Sequence, residues 1–250
     1  MNLTLVAYYG VKPEPVRELI VKLIDEIKDC LGAAFEEYSI EQVHGTIIGL
    51  EGVRTGEDIV NTNYLELRGE RRVLDLTAAL DIVSDHSLLP FDVTIGGYRD
   101  GGAYSFTSRG QAPYLRSFSI QGKRVVAMGW PFNRGTCSES MDILRRRFNA
   151  ANILHRYHAA TDDRDNDFFF VLGNTRPQDT SDSQLLEAQE RIRAFMASLG
   201  PIPIQMAESH LKVVAYVDTR LPADTSCCYT IDDARRRLDE IRILYREVAE

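Results

Sequence analysis

Short β-prone runs alternate with amphipathic helical segments along this 250-residue chain, and this order limits its fold more than any other feature of the sequence. A buried strand is predicted at 3–9, because a run of apolar and aromatic residues ends there at Gly10. A helix is predicted next, since apolar residues recur at helical spacing as far as Gly32. Residues 42–50 form the second strand candidate.

Two apolar runs, 115–120 and 123–130, flank the dipeptide Gln121-Gly122, a pattern that predicts a β-hairpin. A hairpin pairs its strands antiparallel, so this pattern favours an antiparallel sheet over a doubly wound parallel one. The other strand candidates are 91–95, 168–172 and a long stretch within 202–217. Helical patterns separate these runs, and the whole order predicts an α+β fold.

Three further helices are predicted between the strands, at 74–83, at 183–199 and after the capping-box pattern of 136–139. Residues 223–250 are predicted to hold an amphipathic helix that begins at Thr230 and carries a short heptad-like seam. We expect this helix to dock on the body or to be used for self-association. Residues 1–222 are expected to form a single domain, in a protein that is a monomer or a weak homodimer.

The composition is typical of a soluble globular protein, with 44% hydrophobic and 26% charged residues. The amino terminus lacks the basic region and the cleavage site of a signal peptide. No apolar run is long enough to span a bilayer. We therefore expect a cytoplasmic protein without a membrane partner.

The charge distribution limits the class of ligand. A formal net charge of −8 disfavours binding to long nucleic acid, because such binding needs Lys and Arg to neutralise many phosphates. A small phosphorylated ligand in a local basic pocket is compatible with this charge. The arginine runs 145–147 and 235–237 lie in helical patterns, where at least two of three consecutive side chains point to solvent, so we interpret both runs as solvated faces.

His44 and Thr46 carry the strongest candidate chemistry in the sequence. Residues two apart in a strand share one face, so this imidazole and hydroxyl are expected to point to the same side. Gly45 and Gly49 leave the nearby backbone open to close approach by a ligand or another strand. The alternative interpretation is a structural histidine with satisfied hydrogen bonds.

A buried first strand, an amphipathic helix and then the strand motif His44-Gly45-Thr46-Ile47 resemble the first half of a 2H phosphoesterase, the superfamily that contains RNA 2′,3′-cyclic phosphodiesterases. The run 91–98, the hairpin ending at 125–129 and the helix after it resemble the stretch between the two motifs of that family. The resemblance covers residues 1–222 by order of elements, and only the first motif by residue identity. It implies a two-lobed, pseudo-duplicated α+β fold, in which antiparallel sheets with outer helices surround a central groove.

In that family each lobe contributes one His-x-Thr or His-x-Ser motif to the groove, and no metal ion or other cofactor takes part. One histidine serves as the base and the other as the acid, while the hydroxyls hold phosphate oxygens. The resemblance thus implies that His44 is a catalytic acid or base and that Thr46 donates to phosphate. An imidazole suits this role because its unperturbed pKa of about 6.5 lies close to neutral pH.

The second motif departs from the pattern of the family. By order of elements it falls on the strand at 168–173, with Phe169 in the histidine position and Val171 in the threonine position. Neither side chain can transfer a proton or bind phosphate. The two-histidine mechanism is therefore unavailable in its usual form if this register holds.

Other residues are candidates to assist His44. His210 and Lys212 lie two apart in the last long strand candidate, so they would share a face and could supply an acid and a cation. The alternative for His210 is a strand-edge histidine bonded to backbone or solvent. Tyr98 and Arg134 follow strands and are candidates for binding substrate at the mouth of the groove, with ordinary surface placement as their alternative.

A metal site is the competing interpretation of another segment. His155 and His158 are followed by acidic residues, and these residue types bind metals. The run 163–167 begins like a calcium loop, but Phe168 stands where the sharp-turn glycine belongs. We therefore predict no metal site and interpret this segment as a solvated loop.

Two functional hypotheses follow from the sequence. The first is a 2H-like phosphodiesterase that acts without metal on a cyclic or terminal phosphodiester of RNA or a nucleotide. The second is a catalytically degenerate protein of the same fold that binds a nucleotide or another phosphorylated ligand. A structural or partner-binding role is the third interpretation.

Overall fold

The structure is a computed structural model that describes residues 1–247. Its strands are β1 (Asn2–Ala7), β2 (Phe35–Glu37), β3 (Gly45–Gly49), β4 (Gly52–Thr55), β5 (Asp58–Asn61), β6 (Phe91–Ile95), β7 (Phe118–Gln121), β8 (Arg124–Asn133), β9 (Thr136–Cys137), β10 (Phe168–Thr175), β11 (Ile202–Met206), β12 (Leu211–Tyr216) and β13 (Cys227–Thr230). Its helices are α1 (Glu14–Leu31), α2 (Thr62–Arg68), α3 (Leu76–Val83), α4 (Pro113–Ser117), α5 (Ser140–Arg147), α6 (Asp182–Ser198), α7 (Ile231–Arg236) and α8 (Leu238–Arg242). Short 3₁₀ turns lie at Gly32–Ala34, Phe148–Ala151, Pro177–Asp179 and Glu208–His210.

Eleven strands form one sheet in the order β11-β6-β8-β10-β3-β1-β12-β13, with β2 added to β10 and with β7 and β9 added to β8. The paired strands of this sheet run antiparallel. A separate hairpin consists of β4 and β5. The prediction of an α+β fold with antiparallel pairing is thus confirmed. The strand that carries Thr46, β3, is a central strand held between β1 and β10.

The alternation of side chains along β1 gives the sheet two different faces. Leu3 and Leu5 belong to the main core, together with Leu23 and Ile27 of α1. Val6 points the other way and packs in a small cluster that includes Tyr216. Helices α1 and α6 contribute to the main core, so they cover the first face and leave the second face for the groove described below.

The predicted hairpin is present, and the residues after it differ from the prediction. Gly122 lies in the turn between β7 and β8 with φ of 62°, a conformation that favours glycine. The capping box predicted at 136–139 is wrong, because Thr136 and Cys137 instead pair with the end of β8. Helix α5 begins only at Ser140 and has no side-chain cap.

The carboxyl-terminal part contains more separate strands and helices than the sequence predicted. The long stretch within 202–217 forms two strands, separated by the 3₁₀ turn Glu208–His210. Thr230 caps a helix as predicted, since its hydroxyl accepts from the amide of Asp233 at 3.0 Å, but the helix is interrupted at Arg237. Strand β13 joins the main sheet beside β12, so segment 223–247 extends the same body, and residues 248–250 lie outside the described residues.

Tyr245 fixes the last part of the described chain. Its ring is buried in the main core, and its hydroxyl donates to the carbonyl oxygen of Leu50 at 2.8 Å. Among residues 1–247 the structure contains no helix with the length and apolar character needed to cross a membrane.

Candidate functional site

Strand β3 presents its polar side chains to the face of the sheet that the helices leave open. Gly45 and Ile47 are buried against the core, while His44 and Thr46 are half-buried and line a cavity on the other face. We name this cavity, of about 180 Å³, the His44 groove. It is smaller than the roughly 300–1,000 Å³ of drug-sized ligand pockets, so its size suits a compact polar group.

The His44 imidazole is held in one tautomer. Its Nδ1 lies 2.7 Å from the carbonyl oxygen of Gln42, and because a carbonyl can only accept, Nδ1 carries the proton. Burial lowers the pKa of His44 to about 4; the bond to Gln42 opposes this fall, and the charge of nearby Lys12 adds to it. At neutral pH the ring is therefore uncharged, and Nε2 has a free lone pair that can accept a proton.

Lys12 is a second basic residue near His44 whose charged form is disfavoured by burial. Its side chain is buried, and its Nζ donates to the carbonyl oxygens of Gly10 at 3.0 Å and Glu41 at 3.4 Å. Burial lowers the pKa of Lys12 to about 8, against the opposing effect of the Glu41 carboxylate. A second positive charge on His44 is unfavourable beside it, which keeps the imidazole in its basic form.

The predicted positions of the second motif face the same groove. Phe170 pairs with Gly45 across β10 and β3, so in this antiparallel register Phe169 stands opposite Thr46 and Val171 stands opposite His44. Phe169 and Val171 both line the His44 groove. The register places an aromatic ring and an aliphatic side chain where a second imidazole and hydroxyl would complete a symmetric site.

Guanidinium groups surround the groove. Arg124 and Arg156 line it and are exposed, and neither makes an ion pair within residues 1–247. Arg220 also lines it, but its Nε is bonded to the Asp218 carboxylate at 2.9 Å. Both exposed guanidiniums are available to an anionic ligand, and planar guanidinium matches phosphate oxygens in a bidentate manner.

Aromatic side chains form another part of the wall. Tyr38, Tyr157 and Phe169 line the groove, and the Arg109 guanidinium lies 4.4 Å from the centre of the Tyr157 ring. Beyond Phe169 a smaller cavity continues along the sheet and is lined by Arg109 and Arg116 as well as by Arg124. Aromatic faces beside cations suit a ligand that combines a phosphate with a planar base.

Arg145 lies beneath the groove and holds β3 in place. Its side chain is fully buried, and its guanidinium donates to the carbonyl oxygens of Ile47 at 2.9 Å and Thr46 at 3.1 Å. It also donates to the carbonyl oxygens of Asp165 and Asp167. The prediction that this arginine run is a solvated face is therefore wrong for Arg145, which lies one helical turn after buried Met141 and so shares its face.

The segment predicted to be a solvated loop is a buried polar network. His155 Nε2 lies 2.7 Å from the Asp165 carboxylate, and Arg145 pairs with the same carboxylate at 3.1 Å. His158 Nε2 lies 2.9 Å from the carboxylate of Asp142. The prediction is wrong for these residues, which are buried, because Asp142 and Arg145 of α5 hold His158 and Asp165, and no pattern within the segment encodes these contacts.

The surroundings of Asp165 and His155 lower the pKa values of both groups. Burial alone would raise the pKa of Asp165, but Arg145 and the hydrogen bond from His155 hold it well below its usual range. Burial, together with the charge of Arg145, lowers the pKa of His155. His155 lines the groove, yet its Nδ1 is buried without a hydrogen-bond partner, so the ring supports the wall rather than opening a second lone pair to ligand.

Glu51 is an ionisable residue of the groove that the sequence did not indicate. It follows β3, whereas His44 precedes this strand, and it lines the groove. The Tyr216 hydroxyl donates to its Oε1 at 3.2 Å. Burial raises the pKa of Glu51, while the hydrogen bond from its own backbone amide, the bond from Tyr216 and the charge of Arg156 oppose that rise.

The structure does not bring His210 or Lys212 to the groove. His210 lies in a 3₁₀ turn, its Nδ1 is 2.7 Å from the carbonyl oxygen of Gln205, and its ring stacks on Tyr8 with centroids 5.1 Å apart. Lys212 lines a different cavity of about 580 Å³ together with Ser84 and Asp232. A turn replaces the single strand assumed for this segment, so the expected shared face does not exist.

Tyr98 and Arg134 also lie elsewhere. Tyr98 is buried in an aromatic cluster with Trp130, at 4.9 Å between ring centroids, and its hydroxyl donates to the carbonyl oxygen of Thr94 at 3.0 Å. Arg134 occupies the tight turn between β8 and β9 with φ of 50° and lines another surface cavity. Neither residue contributes to the His44 groove.

Metal-ligand geometry is not found in the part of the chain that the structure describes. No group of three or more His, Cys, Asp or Glu side chains is arranged to hold a metal ion there. The carboxylates of Asp142 and Asp165 are bonded to histidine and arginine instead.

No family model matches this sequence, and the search among curated proteins gives no match. Among solved structures, the chain is similar to the crystal structure of TT0787 of Thermus thermophilus. The TM-score is 0.42 at 12% sequence identity, and the superposition covers 91% of this chain and 93% of that chain.

Proposed function

We propose that the His44 groove binds a small phosphorylated ligand, a nucleotide or an RNA end, and hydrolyses its cyclic or terminal phosphodiester with His44 as the general base. The observation that carries this proposal is the fixed, neutral imidazole with its Nε2 lone pair free, next to the Thr46 hydroxyl. The exposed guanidiniums of Arg124 and Arg156 support it, since they supply the charge that a phosphate needs.

The proposed reaction is an in-line displacement at phosphorus. His44 Nε2 takes a proton from water as the water oxygen forms its bond to phosphorus, and the bond to the leaving ribose oxygen breaks. The leaving oxygen takes a proton from solvent to become a hydroxyl, and the His44 imidazolium returns its proton to solvent. Thr46 donates to a nonbridging oxygen, where negative charge develops. No metal ion takes part in the proposed reaction.

The proposed site has no second imidazole on the strand opposite β3, and this lowers the rate of hydrolysis that we expect. Each positioned acid or base typically contributes about 10²–10⁴ in rate, so a site without the second imidazole loses a factor of that size unless another group replaces it. We therefore expect turnover slower than that of a site with two histidines.

The test is hydrolysis of nucleoside 2′,3′-cyclic phosphates and short cyclic-phosphate RNA ends, with a chelator present. The proposal expects turnover by the unmodified protein and a loss of about 10²-fold or more in His44→Ala, because the general base is removed. His86 is exposed and lies outside the groove, so His86→Ala is the matched control and should keep full activity. Equal rates in the unmodified protein and His44→Ala would refute the proposal.

A second candidate function is binding without catalysis. Phe169 and Val171 favour it, since they fill the positions from which a second imidazole and hydroxyl would act. Calorimetric titration with nucleoside monophosphates distinguishes the two functions, because a binding protein gives saturation without turnover. The absence of binding at millimolar ligand would exclude this function.

A further inference from the structure

The groove adjoins a second cavity on the same face of the sheet. Phe169, Tyr157 and Arg124 line both cavities. Phe169 stands opposite Thr46 on one side and pairs with Met128 of β8 on the other, and Met128 lines the second cavity. Neighbouring strands lie about 4.8 Å apart, so the second cavity is roughly 5–10 Å from Thr46 across the sheet.

Arginine side chains dominate the lining of the second cavity. Its described lining contains the guanidiniums of Arg109, Arg116 and Arg124 and one carboxylate, that of Asp167. Arg116 Nη2 lies 3.2 Å from Asp167 Oδ2, and Arg109 Nε lies 3.6 Å from the same oxygen. The other oxygen of Asp167 accepts two hydrogen bonds from neutral groups, each at 2.7 Å. Two guanidiniums thus share one carboxylate, which compensates only one of their charges.

The neighbouring carboxylate does not compensate the remaining charge. Arg109 Nη2 lies 3.9 Å from Asp165 Oδ1, but Asp165 is already paired with Arg145 at 3.1 Å. Arg124 is exposed and adds a third guanidinium to the lining. The chain as a whole has a formal net charge of −8, so this local excess of positive charge indicates a position for an anion.

The size of the second cavity limits what can enter it. Its volume is about 20 Å³, which accommodates one water-sized group and no nucleobase. A phosphate at the mouth of the cavity can place one oxygen inside it. The Arg109 guanidinium stacks on the Tyr157 ring, 4.4 Å from its centre, and this side chain is half-exposed. Stacking leaves the edge of the guanidinium available for the oxygens of such a phosphate.

We propose that the second cavity binds a second phosphate of the same ligand, the phosphate that joins the bound nucleoside to a preceding nucleotide. This inference rests on the proposed function, because His44 and Thr46 hold the first phosphate. The nucleoside between the two phosphates lies over Phe169, the ring that lines both cavities. The preferred ligand is therefore a dinucleotide or an oligonucleotide end, and a nucleoside monophosphate fills only part of the site.

The test compares three ligands by isothermal calorimetry. Uridine 3′-monophosphate carries one phosphate, and the dinucleotide UpUp adds a second nucleoside through an internucleotide phosphate. The third ligand is UpUp with a methylphosphonate in place of that internucleotide phosphate, which keeps both bases and removes the charge. We expect UpUp to bind about tenfold more tightly than the monophosphate, and the methylphosphonate to bind within about threefold of the monophosphate.

A variant of Arg109 tests the same contact from the side of the protein. Arg109→Gln removes the half-exposed guanidinium and leaves Asp167 paired with Arg116, so the buried network is kept. We expect this variant to bind UpUp about fivefold less tightly and the monophosphate within about twofold. Arg99 lies in the same connection between β6 and α4, is exposed and lines neither cavity. Arg99→Gln is therefore the matched control, with no change for either ligand.

The outcomes separate this inference from the proposed function. Equal affinity for UpUp and the monophosphate, or for UpUp and its methylphosphonate, would overturn the second phosphate site. Equal effects of Arg109→Gln and Arg99→Gln on UpUp would also overturn it. In each of these cases the proposed function still stands if the monophosphate binds and His44→Ala loses turnover. If no ligand binds at millimolar concentration and the cyclic substrate is not hydrolysed, the proposed function fails and the second phosphate site fails with it.

Discussion

The guanidinium of Arg145 donates to the carbonyl oxygen of Thr46 over 3.1 Å, so a buried cation supports the residue proposed to bind phosphate. The same side chain pairs with the Asp165 carboxylate at 3.1 Å. Removing one member of a buried ion pair leaves the other charge uncompensated. We expect Arg145→Met to lower the free energy of unfolding by about 3–5 kcal/mol, as measured by urea denaturation.

The control for this variant is its exposed neighbour Arg147. Arg147→Met should change the free energy of unfolding by no more than about 0.5 kcal/mol, because exposed sites contribute little. A similar small effect in Arg145→Met would show that the buried network does not stabilise β3.

The difference between these two arginines illustrates what the sequence could and could not predict. Apolar periodicity predicted α1, and alternation predicted that His44 and Thr46 share a face, since both patterns are local. The contacts of Arg145 join α5 to β3 and to residues 165 and 167, and no local pattern encodes them. The sequence therefore predicted that His44 and Thr46 share a face, but it did not predict the buried contacts of Arg145 that hold β3.

The limit of local sequence patterns also explains where the other candidate residues lie. Phe169 and Val171 were placed on the groove by counting elements, and the register of β10 agrees. His210 was assigned to a continuous strand, but a turn interrupts it and the imidazole is directed elsewhere. Glu51 was missed because its side chain folds back over Gly49, which strand periodicity does not describe.

Binding should depend on the exposed guanidiniums of Arg124 and Arg156. Arg124→Ala and Arg156→Ala should each weaken the affinity for a nucleoside monophosphate about fivefold, because each removes a charge-assisted contact of about 1 kcal/mol. Isothermal calorimetry measures the affinity, and thermal unfolding should be unchanged since both side chains are exposed. Arg17 is exposed on α1 outside the groove, and Arg17→Ala should leave the affinity unchanged. If Arg124→Ala and Arg156→Ala bind the ligand with the same affinity as Arg17→Ala, then Arg124 and Arg156 are not part of the binding site.

Stability should fall between pH 6.5 and pH 4. Burial lowers the pKa of His44 to about 4 in the folded protein, whereas an unfolded histidine titrates near about 6.5. The unfolded chain thus binds more protons in this range, so the contribution of His44 is complete above pH 6.5 and is lost as pH falls towards 4. Urea unfolding at several pH values measures this loss, which should be smaller in His44→Gln. An unchanged pH dependence in that variant would contradict the assigned pKa.

Placing a second His-x-Thr motif on the groove should increase catalysis. Phe169 and Val171 face the groove opposite Thr46 and His44, so Phe169→His with Val171→Thr adds an imidazole and a hydroxyl to the same face. We expect the double variant to raise the turnover of nucleoside 2′,3′-cyclic phosphates by about 10-fold or more, since a positioned acid typically contributes about 10²–10⁴. A folded double variant with unchanged turnover would show that these positions are not those of a second motif.

The most direct measurement follows the five histidine side chains by long-range ¹H–¹⁵N NMR during titration with a nucleoside 3′-monophosphate. In the free protein the spectrum should show His44 with its proton on Nδ1. On addition of ligand, Nε2 of His44 should shift with saturation, while His86 and His210 keep their resonances. Saturable binding without a shift at His44, or no binding at millimolar ligand, would contradict the claim that this imidazole faces a phosphate-binding groove.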